Sequence, residues 1–229
     1  MQIHSKIIAC ITMLIDHLGF LVFPNVVIIR IIGKLHIRYF PFLVAEGCFY
    51  TKNRFKHFYV ITLLAIVFQF VYYLFLKSFD LSIFIIFSIS ILLIYLFDYI
   101  VIIYKNKKYI LGLLTIIVFI SIILLVYYID NQYYYLEYSY GFFGVIIPVV
   151  IYIFRKYLTN NMIILFIVLT SLLIFNVLYT SNYPNLFMCG GALLMLLYNG
   201  KKGHLNLKYY FYLFYPAHIA LVYLLYLII

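Results

Sequence analysis

Long apolar runs, separated by short connecting segments, account for most of this sequence. Nine such runs cover residues 6–23, 26–50, 58–76, 82–104, 109–129, 139–154, 161–178, 184–198 and 208–228. Because a transmembrane helix takes about 20 residues, nine helices would use roughly 180 of the 229 residues and leave no room for a soluble domain. We therefore predict an all-α polytopic integral membrane protein with about nine transmembrane helices, which form one domain over residues 1–229.

The composition excludes the other broad classes of protein. Hydrophobic residues make up 68% of the chain and charged residues 10%, whereas a soluble domain is nearer half apolar and a quarter charged. The chain has too little polar surface to cover a globule, so a water-soluble enzyme is excluded. Disorder is excluded as well, because it requires low hydrophobicity and high charge.

The distribution of cations predicts the orientation in the membrane. Lysines and arginines are concentrated in the connecting segments 51–57, 105–108, 155–156 and 201–208, whereas the segments between them carry one cation, Lys77, and three acids. The positive-inside rule assigns the cation-rich segments to the cytoplasm, which predicts a cytoplasmic N-terminus and an external C-terminus. The net charge of +10 then faces anionic lipid and the cytosol, and nucleic acid is not expected as a partner.

Ionisable side chains inside the apolar runs are the strongest functional signal in the sequence. Each such charge costs about 2.5–3.5 kcal/mol or more at the centre of a bilayer, and an intramembrane ionisable residue is by default a candidate for function. The three cysteines show no pairing or metal-binding pattern, and we expect no metal. Away from the ends of the runs, the acidic, basic and histidine residues are Asp16, His17, Arg30, Lys34, His36, Arg38, Glu46, Asp98 and His218.

Lys6 and His17 are placed so that one extended ligand can reach both. They are eleven residues apart, so on a helix they differ by about 20° around the axis and by roughly 16 Å along it. Coenzyme A fits this spacing, with its phosphates near Lys6 at the cytoplasmic surface and its thioester near His17. In the alternative interpretation, Lys6 is an anchor that follows the positive-inside rule and His17 is a hydrogen-bonded core histidine.

Asp16 and the cations of the second run form a second group of candidates. Asp16 points about 100° away from His17, so it either orients a neighbour or forms a structural ion pair with one of the cations in the second run. Those cations recur every four residues, which predicts one stripe along a helix. The stripe suits an anionic ligand, and snorkelling to the interface is the alternative. Its members are Arg30, Lys34 and Arg38.

Three further residues accompany this stripe. Glu46 is a candidate counter-charge, and His36 either joins the cationic cluster or lines it. Pro41 lacks a backbone N–H group and is expected to kink the second helix. Such a kink at membrane depth is tolerated where it lines a cavity inside the protein.

The last apolar run contains another candidate site. Tyr215 and His218 are three residues apart and share a helix face, and Pro216 lies between them. The pair is either part of a substrate site or ordinary aromatic packing. Asp98, in the fourth run, is predicted to form an interhelical hydrogen bond.

Three segments resemble the TraX family. The family's opening, second and closing motifs are similar to KIIACITMLIDHLGFLVFP at 6–24, RIIGKLHIRYFPFLVAEGCFYT at 30–51 and YYFYLFYPAHIALVYL at 209–224. Residues 58–200 match the family only in hydropathy, and the usual family proline position is occupied by Arg38. The resemblance implies an acetyltransferase, because the named member of the family N-acetylates a conjugative pilin.

The first helix is also similar to that of acyltransferase-3 proteins and lysosomal heparan acetyltransferases. These proteins have a basic residue, ten intervening residues and a histidine, and Lys6 and His17 have the same spacing.

Our leading hypothesis is a multi-pass acetyltransferase in a bacterial plasma membrane. An acetyl group would pass from cytoplasmic acetyl-CoA to an amine or hydroxyl on a peptide or a cell-envelope glycan. His17, assisted by Asp16, would act as general base or carry the acetyl group transiently. Alternative hypotheses are a non-catalytic chaperone for a small exported peptide and a small-anion transporter. The remaining candidates divide between the coenzyme (Lys6, Arg30, Lys34, Arg38) and the substrate (His36, Glu46, Tyr215, His218).

Overall fold

A computed structural model describes residues 3–76, 82–132, 141–158, 161–180 and 208–228, together with residues 191, 193 and 196. The described part of the chain is helical and contains no strand. A π-helical turn, Phe154–Leu158, continues α7. The α-helices are α1 (Ile3–Leu21), α2 (Val27–Gly33), α3 (Leu35–Tyr50), α4 (Arg54–Leu76), α5 (Ile83–Lys105), α6 (Tyr109–Gln132), α7 (Gly141–Ile153), α8 (Met162–Thr180) and α9 (Lys208–Ile228).

Most of the predicted apolar runs correspond to a single helix whose ends lie within a few residues of the predicted ones. In an apolar environment a helix satisfies its backbone hydrogen bonds internally, which is why continuous apolar runs take this form. The eighth run, 184–198, lies largely outside the described residues.

The prediction of one helix over 26–50 is wrong. The run forms α2 and α3, which are separated by a turn at Lys34, and Pro41 lies inside α3. A Cβ atom on Gly33 would lie only 2.6 Å from the Cβ atom of Asp16 and 2.7 Å from its backbone nitrogen. Because glycine alone allows this approach and is a weak helix former, α2 ends where it meets α1.

Three helices of the described chain are long and apolar enough to cross a membrane. They are α5, α6 and the stretch Gly141–Leu158, and shorter apolar helices cover Ile7–Leu21 and Leu213–Ile228. Large apolar side chains are exposed along most of α6, as expected of a surface that contacts lipid rather than water. The full number of spans and the orientation remain predictions from the sequence.

The chain divides into two compact units. Unit 1 comprises Met1–Leu43 and Thr159–Ile229, and unit 2 comprises Val44–Leu158. In unit 1, α1 packs against both α2 and α9, and Ala9 and Met13 of α1 are buried together with Val222 of α9. This packing brings the first and the last of the described helices together.

Unit 2 is organised around α5, which packs against α4, α6 and α7. Leu93 and Ile94 of α5 are fully buried in its core. A hydrogen bond of 3.0 Å from the Ser90 hydroxyl on α5 to the Val145 carbonyl on α7 also connects two of these helices.

Candidate functional site

Two histidines that are 201 positions apart in the sequence, His17 on α1 and His218 on α9, lie in contact in unit 1. Their ring centroids are 4.9 Å apart and their planes are inclined by 76°, which is an edge-to-face arrangement. His17 is half-buried, whereas His218 is only 3% exposed. The packing of α1 on α9 therefore joins the predicted catalytic histidine to the predicted site of the last helix.

The hydrogen bond of His17 determines which ring nitrogen is available for chemistry. Its Nδ1 lies 2.9 Å from the carbonyl oxygen of Met13, one turn earlier on α1. A carbonyl can only accept a hydrogen bond, so Nδ1 carries the proton and a neutral ring has its lone pair on Nε2. That lone pair is what a general base or a nucleophile requires.

The surroundings of His218 are aromatic. Its Nδ1 donates to the Phe214 carbonyl over 2.9 Å, and its ring stacks on the Phe214 ring with centroids 4.7 Å apart and planes inclined by 11°. The Tyr215 ring is inclined by 71° to the His218 ring, and the centroids of these two rings are 5.6 Å apart. Three rings of α9 thus lie together, and the ring of His218 contacts His17.

Asp16 lies at a close approach of α1 and α2. It is half-buried, and its backbone faces Gly33. Lys34, which is also half-buried, follows Gly33 in the turn before α3. The packing of α1 on α2 therefore leaves one of the three candidate cations of the second run adjacent in sequence to the residue that meets Asp16.

The side chains of Lys6, Arg30, His36 and Arg38 lie outside the described part of the structure. The backbone of Lys6 belongs to α1, which continues without interruption to His17. The predicted stripe of Arg30, Lys34 and Arg38 on one helix is wrong, because α2 ends at Gly33 and Arg38 belongs to α3.

Glu46 has a different partner from the one that the sequence suggested. It forms a buried ion pair with Arg155 of the π-helical turn, in unit 2. The Arg155 guanidinium also donates to the Tyr50 hydroxyl over 3.3 Å and lies 5.0 Å from the centroid of the Phe49 ring. Glu46 therefore neutralises a cation that sequence analysis had assigned to a connecting segment.

Asp98 is the centre of a second polar cluster in unit 2. It is 1% exposed and accepts hydrogen bonds from the hydroxyls of Tyr152 at 2.7 Å and Tyr157 at 2.6 Å. The ammonium group of Lys156 lies 2.8 and 2.7 Å from its two oxygens, and the Arg54 guanidinium lies 2.6 Å away. The interhelical hydrogen bond predicted for Asp98 is confirmed.

The partners in these clusters were missed by sequence analysis. Arg54, Arg155 and Lys156 were interpreted only as cytoplasmic anchors. A signal was available, because Asp98 lies seven residues before Lys105 on α5, near the end that carries cations. His57, whose position near a cation-rich segment gives no functional signal in the sequence, forms a hydrogen bond of 2.8 Å between its Nδ1 and the Tyr95 hydroxyl.

No group of three or more histidine, cysteine or acidic side chains that could hold a metal ion occurs in the ranges that the structure describes. The chemistry available at the His17–His218 contact is that of two imidazole rings with defined tautomers, surrounded by aromatic side chains.

A family model described as TraX protein matches residues 3–226 of the chain. This range includes the three segments whose residues resemble the family and the middle of the chain. Comparisons with curated proteins and with solved structures gave no significant match.

Proposed function

This chain belongs to the TraX family of membrane proteins, and from that membership we propose that it is a membrane-embedded acetyltransferase. It transfers an acetyl group from cytoplasmic acetyl-CoA to an amine or hydroxyl of a peptide or a cell-envelope glycan. The observation that carries this proposal is the contact between His17 and His218. Two imidazoles on apolar helices are costly to retain unless they are used.

His17 is the residue that we assign to the chemistry. Its Nδ1–H group is bound to the Met13 carbonyl, which leaves the Nε2 lone pair to accept a proton. As general base, Nε2 takes the proton of the acceptor while the acceptor attacks the acetyl carbon. The carbon–sulfur bond then breaks, and the proton passes from Nε2 to the departing thiolate. The Met13 carbonyl stabilises the imidazolium while it exists.

A covalent route uses the same atom. Nε2 would attack the thioester, release the thiolate and hold the acetyl group until the acceptor displaces it, and the proton of the acceptor would pass to the thiolate. Both routes require Nε2 within reach of the thioester and produce the same products, so the proposed function does not depend on which is followed.

Charge recognition at the cytoplasmic side completes the proposal. Lys6 belongs to the same uninterrupted helix as His17. The two residues are therefore separated by roughly 16 Å along the helix axis. We assign Lys6, Arg30, Lys34 and Arg38 to the phosphates of the coenzyme and to the negative charge that develops on the thioester oxygen.

Asp16 balances the positive charge of this region. We assign His36 and Tyr215 to the surroundings of the acceptor. Glu46 is left out, because its carboxylate is paired with Arg155.

Quantitative mass spectrometry of acetylated peptides and envelope glycans tests the function even while the acceptor is unidentified. Cells producing the wild-type chain should contain an acetylated species that is lost with His17→Ala, because removal of a general base lowers the rate by about 10²–10⁴. His57→Ala provides a matched control, since it removes an imidazole from unit 2. An acetylation pattern that is identical with and without His17 would contradict the proposal.

A further inference from the structure

Helix α9 places an aromatic stack directly against the proposed catalytic histidine. The rings of Phe214 and His218 are nearly parallel, with centroids 4.7 Å apart. The rings of His17 and His218 are in an edge-to-face arrangement, with centroids 4.9 Å apart. Tyr215 borders the same ring at 5.6 Å. All four side chains belong to unit 1, so the arrangement lies within one compact body.

We propose that the stack of Phe214 and His218 stabilises the positive charge that forms on His17 during acetyl transfer, and that His218 acts through its aromatic ring rather than as a second base. His218 is thus a positioning residue, since its effect on the reaction passes through His17. This inference rests on the proposed function, because it concerns the same site.

The burial and the hydrogen bond of His218 support this role. A ring that is 3% exposed presents little surface to an acceptor molecule, whereas the half-buried ring of His17 is accessible to one. The Nδ1–H group of His218 is bound to the Phe214 carbonyl of its own helix. This bond and the stacking on Phe214 fix the plane of the His218 ring relative to His17.

The distance between the two histidines suits an interaction between a cation and a π system. A cation within about 6 Å of a ring centroid is attracted by the ring quadrupole, and the attraction is larger where water is excluded. In the proposed mechanism His17 accepts a proton during the reaction, so the attraction arises mainly in the transition state. Such an interaction raises kcat and leaves the binding of the substrates almost unchanged.

Substitutions at residue 218 separate a contribution of the ring from a contribution of its nitrogen atoms. Inside-out membrane vesicles, radiolabelled acetyl-CoA and an extracted cell-envelope fraction as acceptor give the rate of label transfer. We expect His218→Ala to lower kcat roughly 2- to 30-fold with KM for acetyl-CoA unchanged, and His218→Phe to stay within about twofold of the wild type. Tyr223→Ala, which removes another ring from α9, should leave the rate unaltered.

Protein abundance in the vesicles and elution in size-exclusion chromatography monitor folding. If His218→Ala does not accumulate, His218→Leu supplies an apolar, non-aromatic side chain of similar bulk, and the same loss of kcat is expected.

The possible outcomes distinguish this inference from the function on which it rests. If His218→Phe loses as much activity as His218→Ala, the imidazole nitrogens are required and the inference is overturned. It is equally overturned if both variants match the wild type. An inactive wild-type chain would instead refute the proposed function, and the role of His218 with it.

Discussion

At the scale of single residues, the site depends on the tautomer of His17. The Met13 carbonyl fixes the proton on Nδ1 and thereby directs the reactive lone pair to Nε2. Lys6 lies on the same helix, and in the proposed function it is a point charge for a phosphate of the coenzyme. The proposal gives these two residues different contributions: His17 acts on the acetyl group, and Lys6 on the binding of its donor.

Substitution of Lys6 tests that division. Lys6→Glu should raise KM for acetyl-CoA far more than KM for the acceptor, because it replaces an attractive charge by a repulsive one. The effect should weaken as salt concentration rises, since the contact is close to water. Lys108→Glu changes a cation of another cytoplasmic segment and serves as control. Equal dissociation constants of coenzyme A for the wild type and Lys6→Gln would remove Lys6 from the site.

The sequence singled out individual candidate residues but not the partners that they contact. His17 and His218 were recognisable because imidazoles are rare within apolar runs, but their contact depends on how α1 packs on α9, which hydropathy does not encode. Arg155 was misjudged for a related reason. The positive-inside rule accounts for any cation at the end of a helix, so it gave no indication of the buried pair with Glu46.

At the scale of elements, the π-helical turn Phe154–Leu158 directs three consecutive side chains towards carboxylates. Arg155 pairs with Glu46, and both Lys156 and Tyr157 contact Asp98. Successive residues of an ordinary α-helix are rotated by about 100°, which would spread three neighbours around the helix. The wider turn of a π-helix reduces that rotation and is often found at functional positions.

Glu46 of α3 and Arg155 of the π-helical turn form an ion pair, so their contributions to the free energy of unfolding should depend strongly on each other. The side chains of Arg155 and Glu46 are 7% and 0% exposed, so removal of either partner leaves an uncompensated buried charge. We expect Glu46→Met or Arg155→Met alone to lower the free energy of unfolding by about 3 kcal/mol or more, and the double variant to lose much less than the sum.

Denaturation of the purified protein in mixed micelles measures this coupling. Lys52→Met, which alters an exposed cation, controls for the loss of a charge. Additive losses in the double variant would show that the two residues do not depend on each other.

The helices themselves were largely predictable, because continuous apolar runs have few alternatives in a bilayer. The break after Gly33 was not predictable from hydropathy, because the run on either side of it remains apolar. It occurs where the backbones of α1 and α2 approach closely. Pro41 was the more obvious breaker in the sequence, yet it lies within α3.

At the scale of the whole molecule, the account requires a defined orientation in the membrane. Helix α6 runs from Tyr109 to Gln132 and is long enough, at about 36 Å, to cross a hydrocarbon core of about 30 Å. The cations of segment 105–108 precede it, and no cation lies within it. The positive-inside rule therefore predicts that its start is cytoplasmic and its end external.

Reporter fusions examine this orientation. Fusions after residues 54 and 106 should report a cytoplasmic position, and a fusion after residue 131 an external one. If the reporters at 106 and 131 lie on the same side, α6 does not span the membrane and the predicted topology is incorrect.

The central claim, acetyl transfer by His17, is tested most directly by label transfer in inside-out vesicles. Radiolabelled acetyl-CoA is supplied at the cytoplasmic face, with an extracted cell-envelope fraction as acceptor, and label in the acceptor is counted over time for equal amounts of wild type and His17→Asn. The account predicts transfer by the wild type and a rate at least about 10²-fold lower for the variant. Equal rates for the two proteins, or no transfer by the wild type, would contradict it.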